Sequence, residues 1–233
     1  MASSKNILLV LFPGFNTLDM NGPYEVLRKT KGGDLFKITV AAESEITTSC
    51  EGVHVKRDIP LDDALISRLA DYDILVIPGG TPEPVDAQVA QIGGPFLNLL
   101  LAFSRLQSAG TADGKHGRVL LSICTGAIFL GALGVFNNLF CTTHWGSYDR
   151  LKTHVRVAAA QSAGSAPGTV VASRFVDAGV NANGLRIISS GGVSCGIDAS
   201  LYIVKLFADE EVAKAVAQQL DYAWRKTEGF VVL

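Results

Sequence analysis

Leu120-Leu121-Ser122-Ile123-Cys124-Thr125-Gly126-Ala127 is an apolar run that meets a cysteine and passes into a helix-forming segment. Its form, Ser-x-Cys-x-Gly, parallels the nucleophile elbow Gly-x-Ser-x-Gly, in which small residues two positions either side of the nucleophile permit a sharp strand-to-helix turn. The stretch predicts a strand, a turn carrying Cys124, and a helix over about 125–134. Such a helix would aim its unpaired N–H groups and positive dipole end at the sulfur. That favours thiolate and lowers a cysteine pKa from about 8.5 to roughly 4–7. Two plainer readings stand beside this one. Residues 119–143 hold no Asp, Glu, Lys or Arg, which is enough length for a membrane span, although Gly126, Gly131, Gly134, Asn137 and Asn138 interrupt it. A free cysteine is also commonly an inert core residue.

Neighbouring apolar runs repeat the strand pattern. Ile7–Phe12 stops at Pro13-Gly14, Phe36–Ala41 follows, Asp73–Ile77 enters Pro78-Gly79-Gly80, and Arg186–Ser190 enters Gly191-Gly192. Continuous runs of this kind fit parallel strands buried on both faces. Helices are expected from Phe15 to Leu27 with Pro23 in the first turn, over Gly93–Ala109, to about Phe207 after the Gly191–Asp198 turn, and over Asp209–Trp224, where Val212, Val216, Leu220 and Ala223 share one face. Residues 46–58 read as a hairpin about Gly52, Val155–Val157 as a strand, 161–169 as a loop and 170–177 as β-prone. Strands alternating with helices predict an α/β fold around a mainly parallel sheet.

In such sheets ligands bind beyond the carboxyl ends of the strands. Asp19 lies there after the first run, with a helix cap as the competing reading. Gly79-Gly80 would let a backbone N–H approach a ligand, or form a simple tight turn. His144 beside Trp145 is either a base titrating near neutrality or a hydrogen-bonding turn residue. His54 and His116 are assigned to solvent, and Cys195 ranks behind Cys124 because it lacks strand-elbow-helix flanks.

The 233 residues suit one large domain spanning 1–233. A net charge of -2 from 20 basic and 22 acidic residues leaves no footprint for nucleic acid or an anionic membrane, so a small-molecule or protein partner is expected. With 18% charged and 48% apolar residues the chain is not a disordered one. Cys50, Cys124, Cys141 and Cys195 form no C-x-x-C pair, and no n-region and h-region open the chain. They read as reduced thiols of a cytoplasmic protein, not as a disulfide framework or zinc site.

Leu11-Phe12-Pro13-Gly14-Phe15, Leu18-Asp19-x-x-Gly22-Pro23, Ile77-Pro78-Gly79-Gly80-Thr81, Ser122-x-Cys124-Thr125-Gly126-Ala127, Thr142-Thr143-His144-Trp145 and Gly191-Gly192-Val193-Ser194-x-Gly196-Ile197-Asp198 together resemble the ThiJ/PfpI superfamily. The motifs occur in the expected order from Ile7 to about Tyr222, and within the superfamily they most resemble isonitrile hydratases. The resemblance implies a glutamine-amidotransferase-like, flavodoxin-like three-layer α/β sandwich. It implies Cys124 as nucleophile, Asp19 as the acidic side chain beside it, and Thr125 positioning substrate or water. Gly80, Thr81, Gly126 and His144 would surround the substrate, with Gly80 and Thr125 N–H groups stabilising an anion. It implies hydration of an isonitrile to an N-substituted formamide through a thioimidate, a homodimer, and no metal or organic cofactor. Proteolytic and glyoxalase-like relatives often carry histidine where this chain has Thr125. A cofactor-free glyoxalase or deglycase remains an alternative, as does an oxidative sensor or chaperone. A transcription-regulator reading is disfavoured on the expectation that no basic helix-turn-helix follows Leu233. Leu97–Arg118 and Ser162–Gly168 look longer than the hydratase pattern, and both could reshape a pocket or interface.

Overall fold

The computed structural model describes residues 4–30, 35–108 and 117–232. In chain order the elements are β1 (Lys5–Leu11), α1 (Thr17–Arg28), β2 (Phe36–Ala42), β3 (Ile46–Thr48), β4 (His54–Lys56), β5 (Ile59–Pro60), α2 (Asp63–Ile66), β6 (Ile74–Ile77), α3 (Pro82–Ala90), α4 (Pro95–Ser104), β7 (Val119–Ile123) and α5 (Gly126–Ala132). There follow β8 (Phe140–Cys141), α6 (Tyr148–Ala160), β9 (Thr169–Val170), β10 (Phe175–Val180), β11 (Arg186–Ser190), α7 (Cys195–Phe207), α8 (Glu210–Gln219) and β12 (Gly229–Val231).

One sheet runs in the order β12-β10-β11-β7-β6-β1-β2-β5. Every pairing in it is parallel except β10 with β11. The central strands explain their own sequences: β6 and β7 are buried at every position and β1 from Ile7 onward, so neither face can carry a polar residue cheaply. Helices cover both faces: α1, α7 and α8 pack together on one, and α3, α4, α5 and α6 on the other. Beneath the second group the Phe12, Phe96 and Phe129 rings meet at 5.1–5.4 Å in tilted and edge-on contacts. The chain is an α/β fold around a mainly parallel sheet, as the alternation of runs predicts, and a three-layer, flavodoxin-like sandwich, as the family resemblance implies.

Several expected elements differ. The uncharged stretch 119–143 is cut into β7, a seven-residue α5 and β8, and no helix among the described residues is long and apolar enough to cross a membrane. Val155–Val157 lies inside α6, not in a strand, because Leu151, Val155, Ala158 and Ala159 are buried at helical spacing. Pro23 is not in the first turn of α1 but well inside it, since Asn16 caps the helix earlier. The helix expected over Gly93–Ala109 is confined to Pro95–Ser104. The last helix stops at Gln219, where Asp221 turns into the left-handed region and Tyr222 and Arg225 leave to bond Asp198. His54 is exposed and the 46–58 hairpin forms as β3 with β4, whereas His116 lies outside the described residues.

Candidate active site

The carboxyl ends of β1, β6, β7 and β11 meet at Cys124. The first two are joined there by an Asn16 N–H bond to the Gly79 carbonyl at 2.7 Å. Cys124 follows β7 with φ 55, the left-handed conformation of a tight elbow. Its N–H is shared between the Ser190 and Gly191 carbonyls at 3.1 and 3.2 Å, and its own carbonyl accepts the Thr143 hydroxyl at 2.8 Å. Gly126 completes the turn: a Cβ there would stand 2.7 Å from the Ile77 oxygen, so only glycine fits against the neighbouring strand.

Cys124 is 6% exposed, and its sulfur receives backbone N–H groups from Val193 and Thr125. Val193 reaches it with φ 47, an outlier for a β-branched residue. These donors do not make a thiolate. Burial first, then the charge of Asp19, push the Cys124 thiol up to about 12, against the lowering expected from the elbow helix. The physical reason is that α5, seven residues or about two turns long, offers only a short run of dipole, whereas desolvation acts on the whole sulfur anion.

Asp19 is no helix cap. Asn16 takes that role through bonds from the Leu18 and Asp19 N–H groups, leaving the Asp19 carboxyl to turn inward, fully buried. Its Oδ2 accepts the Gly79 N–H at 3.0 Å, while Oδ1 is buried with no hydrogen bond formed. Burial pushes this carboxyl up to about 7; the Gly79 N–H and Cys124 thiol oppose the shift and the charge of Glu51 adds to it. Cys124 and Asp19 thus form one coupled acid pair.

Thr125 and Gly80 are engaged with each other. The Thr125 hydroxyl accepts the Gly80 N–H at 2.8 Å and donates to the Gly80 carbonyl at 2.7 Å. The Gly80 N–H is therefore not free to bind an anion, nor the Thr125 hydroxyl to position water, whereas the expected Thr125 N–H does face the sulfur, joined there by that of Val193.

A cavity of about 350 Å³ opens over the sulfur, bounded by Gly80, Thr81 and Pro82 on one side and by His144, Gly146 and Ser147 on another. The expected Gly80, Thr81 and His144 therefore share the site, whereas Gly126 is buried outside the lining. His144 accepts the Gly146 N–H at Nδ1, 3.2 Å away, which is the turn-holding role, and places the ring proton on Nε2. Its ring seats on Gly192, where a Cβ would come within 2.1 Å of it. Neither 97–118 nor 162–168 contributes a described lining residue.

Asn16, Cys50, Glu51 and Val193 also line the cavity, and sequence reasoning missed all of them. Cys50 and Glu51 arrive on the β3–β4 hairpin, which is tied back by Gly14 N–H to the Thr48 carbonyl at 2.8 Å and Cys50 N–H to the Phe15 carbonyl at 2.9 Å. No local pattern signals that return. The Asn16 cap position was the one available clue. Local desolvation, with the hydrogen bond to Glu51 and its charge, pushes the exposed Cys50 thiol up to about 11, and burial pushes Cys141 to about 12; Cys195 heads α7 outside the cavity lining.

Isonitrile hydratase from Pseudomonas putida is 29% identical to this chain over 216 residues, 92% of this chain and 77% of that protein. An uncharacterized protein from the cpoL 5' region of Streptomyces lividans is 32% identical over 146 residues, 62% of this chain and 90% of the other. A ThiJ/PfpI family protein from Pseudomonas syringae superposes with a TM-score of 0.70 at 21% identity, covering 95% of this chain and 76% of that one. Oxidized DJ-1 from Toxoplasma gondii gives 0.66 at 19%, covering 95% and 100%. The DJ-1/PfpI profile matches residues 5–204, a span that holds Asp19, the Cys124 elbow and the glycine turn before α7, and the chain belongs to the DJ-1/PfpI family.

Proposed function

We propose that this chain is a cysteine-dependent enzyme that adds water to an isonitrile to give an N-substituted formamide, with Cys124 as nucleophile and Asp19 as proton donor. The observation that carries the reading is the Asp19 carboxyl: buried beside the thiol, one oxygen on the Gly79 N–H, the other unpartnered, and holding its proton up to about pH 7. Similarity to the Pseudomonas putida isonitrile hydratase supports the substrate class. The reading takes with it a small-molecule substrate, a homodimer and a cytoplasmic location.

An isonitrile accepts a proton and a nucleophile at the same terminal carbon. Asp19 gives its Oδ1 proton to that carbon, Cys124 Sγ bonds to it, and the thiol proton passes to the Asp19 carboxylate. The product is a thioimidate, Cys124–S–CH=N–R, with Asp19 protonated again. This relay is needed because a thiol held near 12 supplies almost no preformed thiolate at neutral pH. Water then adds across the C=N bond, its oxygen to carbon and one proton to nitrogen. Collapse breaks the C–S bond, returns the hydroxyl proton to sulfur and releases R–NH–CHO. The Val193 and Thr125 N–H groups stabilise charge on sulfur as its bond forms and breaks.

The same buried, high-pKa thiol disfavours the sensor reading, since peroxide reacts with thiolate. The test is the initial rate of formamide production from alkyl and aryl isonitriles, with lactate from methylglyoxal as the competing assay. Wild type turns over isonitriles, Cys124→Ala does not, and Asp19→Asn is slower by about a hundredfold or more. Full formamide production by Cys124→Ala overturns the mechanism.

A further inference from the structure

We propose that the cavity over Cys124 selects its substrate by charge, admitting neutral and cationic molecules and turning away carboxylates and phosphates, and that Glu51 performs the selection. The inference takes Cys124 as the reacting atom of the enzyme proposed above.

Among the described residues lining the cavity, Glu51 is the one charged side chain, and no lysine or arginine stands there to pair with an anion. The carboxylate is anchored. Its Oε1 accepts the Asn16 side-chain amide at 2.6 Å and the Cys50 thiol at 3.0 Å, and its Oε2 accepts the Thr17 N–H at 2.9 Å and the Thr17 hydroxyl at 2.6 Å. Glu51 is exposed at the mouth of the cavity, and four donors on two oxygens fix its charge in place there. Partial burial works against ionisation, yet the bonds from Thr17 and Cys50 hold the carboxyl down at about 2. The charge is therefore present at any working pH. Behind the cavity lies Asp19, a second carboxyl that itself becomes charged above about 7.

An anion entering this recess gives up hydration, meets one or two negative charges and finds no lysine or arginine in return; the one basic side chain in the lining, His144, has its Nδ1 taken by the Gly146 N–H. A neutral molecule meets Pro82, Val193 and the uncharged edges of Thr81 and Ser147. An amine on the substituent would find in Glu51 a fixed partner at the cavity wall. The substrate class is accordingly a small isonitrile whose substituent is uncharged or carries an amine, not one bearing a carboxylate or phosphate.

The experiment labels Cys124 with methanethiosulfonates bearing trimethylammonium, sulfonate or neutral groups, each rate divided by that of the same reagent on free cysteine. Cys50→Ser is the background, so that only one cavity thiol reacts while a donor to Glu51 Oε1 is kept, and peptide mass mapping isolates Cys124. The cationic reagent is expected to outpace the anionic one by about tenfold. Glu51→Gln should bring that ratio close to one while the neutral rate stays within about twofold. High salt should shrink the ratio in the unsubstituted cavity without any change of side chain. Equal rates for the two charged reagents, or a ratio that Glu51→Gln and salt leave intact, overturn the proposal. Labelling requires no turnover, so a protein inactive on isonitriles can still show charge selection, and an active hydratase that labels without regard to charge refutes only this inference.

Discussion

Replacing Asp19 by asparagine removes an ionisable carboxyl while keeping its shape, and the pH dependence of stability then reports what burying that carboxyl costs. In the unfolded chain Asp19 titrates near its ordinary value of 3.8; in the folded protein burial holds it at about 7. Between those values the native state binds a proton that the unfolded chain has already released. Stability must therefore fall as pH rises through this window and level off above it. At about 1.4 kcal/mol per unit the full penalty is about 4 kcal/mol, of which about 3 kcal/mol develops between pH 5 and pH 8. The amide of the Asp19→Asn variant has no such proton. The Gly79 N–H can still donate to its side-chain oxygen, and any fixed cost of placing an amide nitrogen at the unpartnered Oδ1 site is independent of pH. Urea denaturation followed by circular dichroism at pH 5, 6, 7 and 8 gives the stability of both proteins. The wild-type value minus the Asp19→Asn value should drop by about 3 kcal/mol over that range. Two profiles that run parallel to within about 0.5 kcal/mol would refute the claim that Asp19 is a buried carboxyl kept protonated near neutrality.

Two further outcomes follow from the elbow. Alkylation of Cys124 by iodoacetamide, read by peptide mass mapping, should keep rising by about tenfold per unit between pH 8 and pH 10, because the thiol is held near 12; a plateau below pH 8 contradicts that environment. Gly126→Ala drives a methyl group to 2.7 Å from the Ile77 carbonyl oxygen, and thermal or urea unfolding should show a loss of about 2–3 kcal/mol, a loss under about 1 kcal/mol showing that the turn can yield.

The strands were legible for a local reason. β1, β6 and β7 are buried on both faces, so they are unbroken apolar runs whatever their neighbours. Val155–Val157 misled because β-branched residues favour strands locally, whereas the Leu151, Val155 and Ala158 spacing that settles α6 appears only over a longer window. β12 went unread: Phe230 and Val231 are β-favouring, but three residues are too few to show an alternation, and Gly229–Val231 is fixed as a strand by pairing with β10. At the site, Cys124 and Asp19 were found from their places beyond strand ends, and His144 from its motif. Glu51 and Cys50 were not, since an exposed-looking hairpin gives no sign of which loop it folds against.

Amino-acid order alone determined the layered α/β architecture, the position of the elbow and the identity of the thiol it carries, because strand burial and turn geometry are short-range properties of the chain. Only the tertiary structure decided the ionisation of that thiol. A helix N-terminus read in isolation favours thiolate, but Cys124 is enclosed and faces a carboxyl from α1, and desolvation with a like charge outweighs one short helix. The same enclosure keeps a proton on Asp19, and the tied-back hairpin brings the exposed Glu51 charge to the cavity mouth, so the chemistry of the pair follows from burial and long-range contact, which the linear sequence does not display.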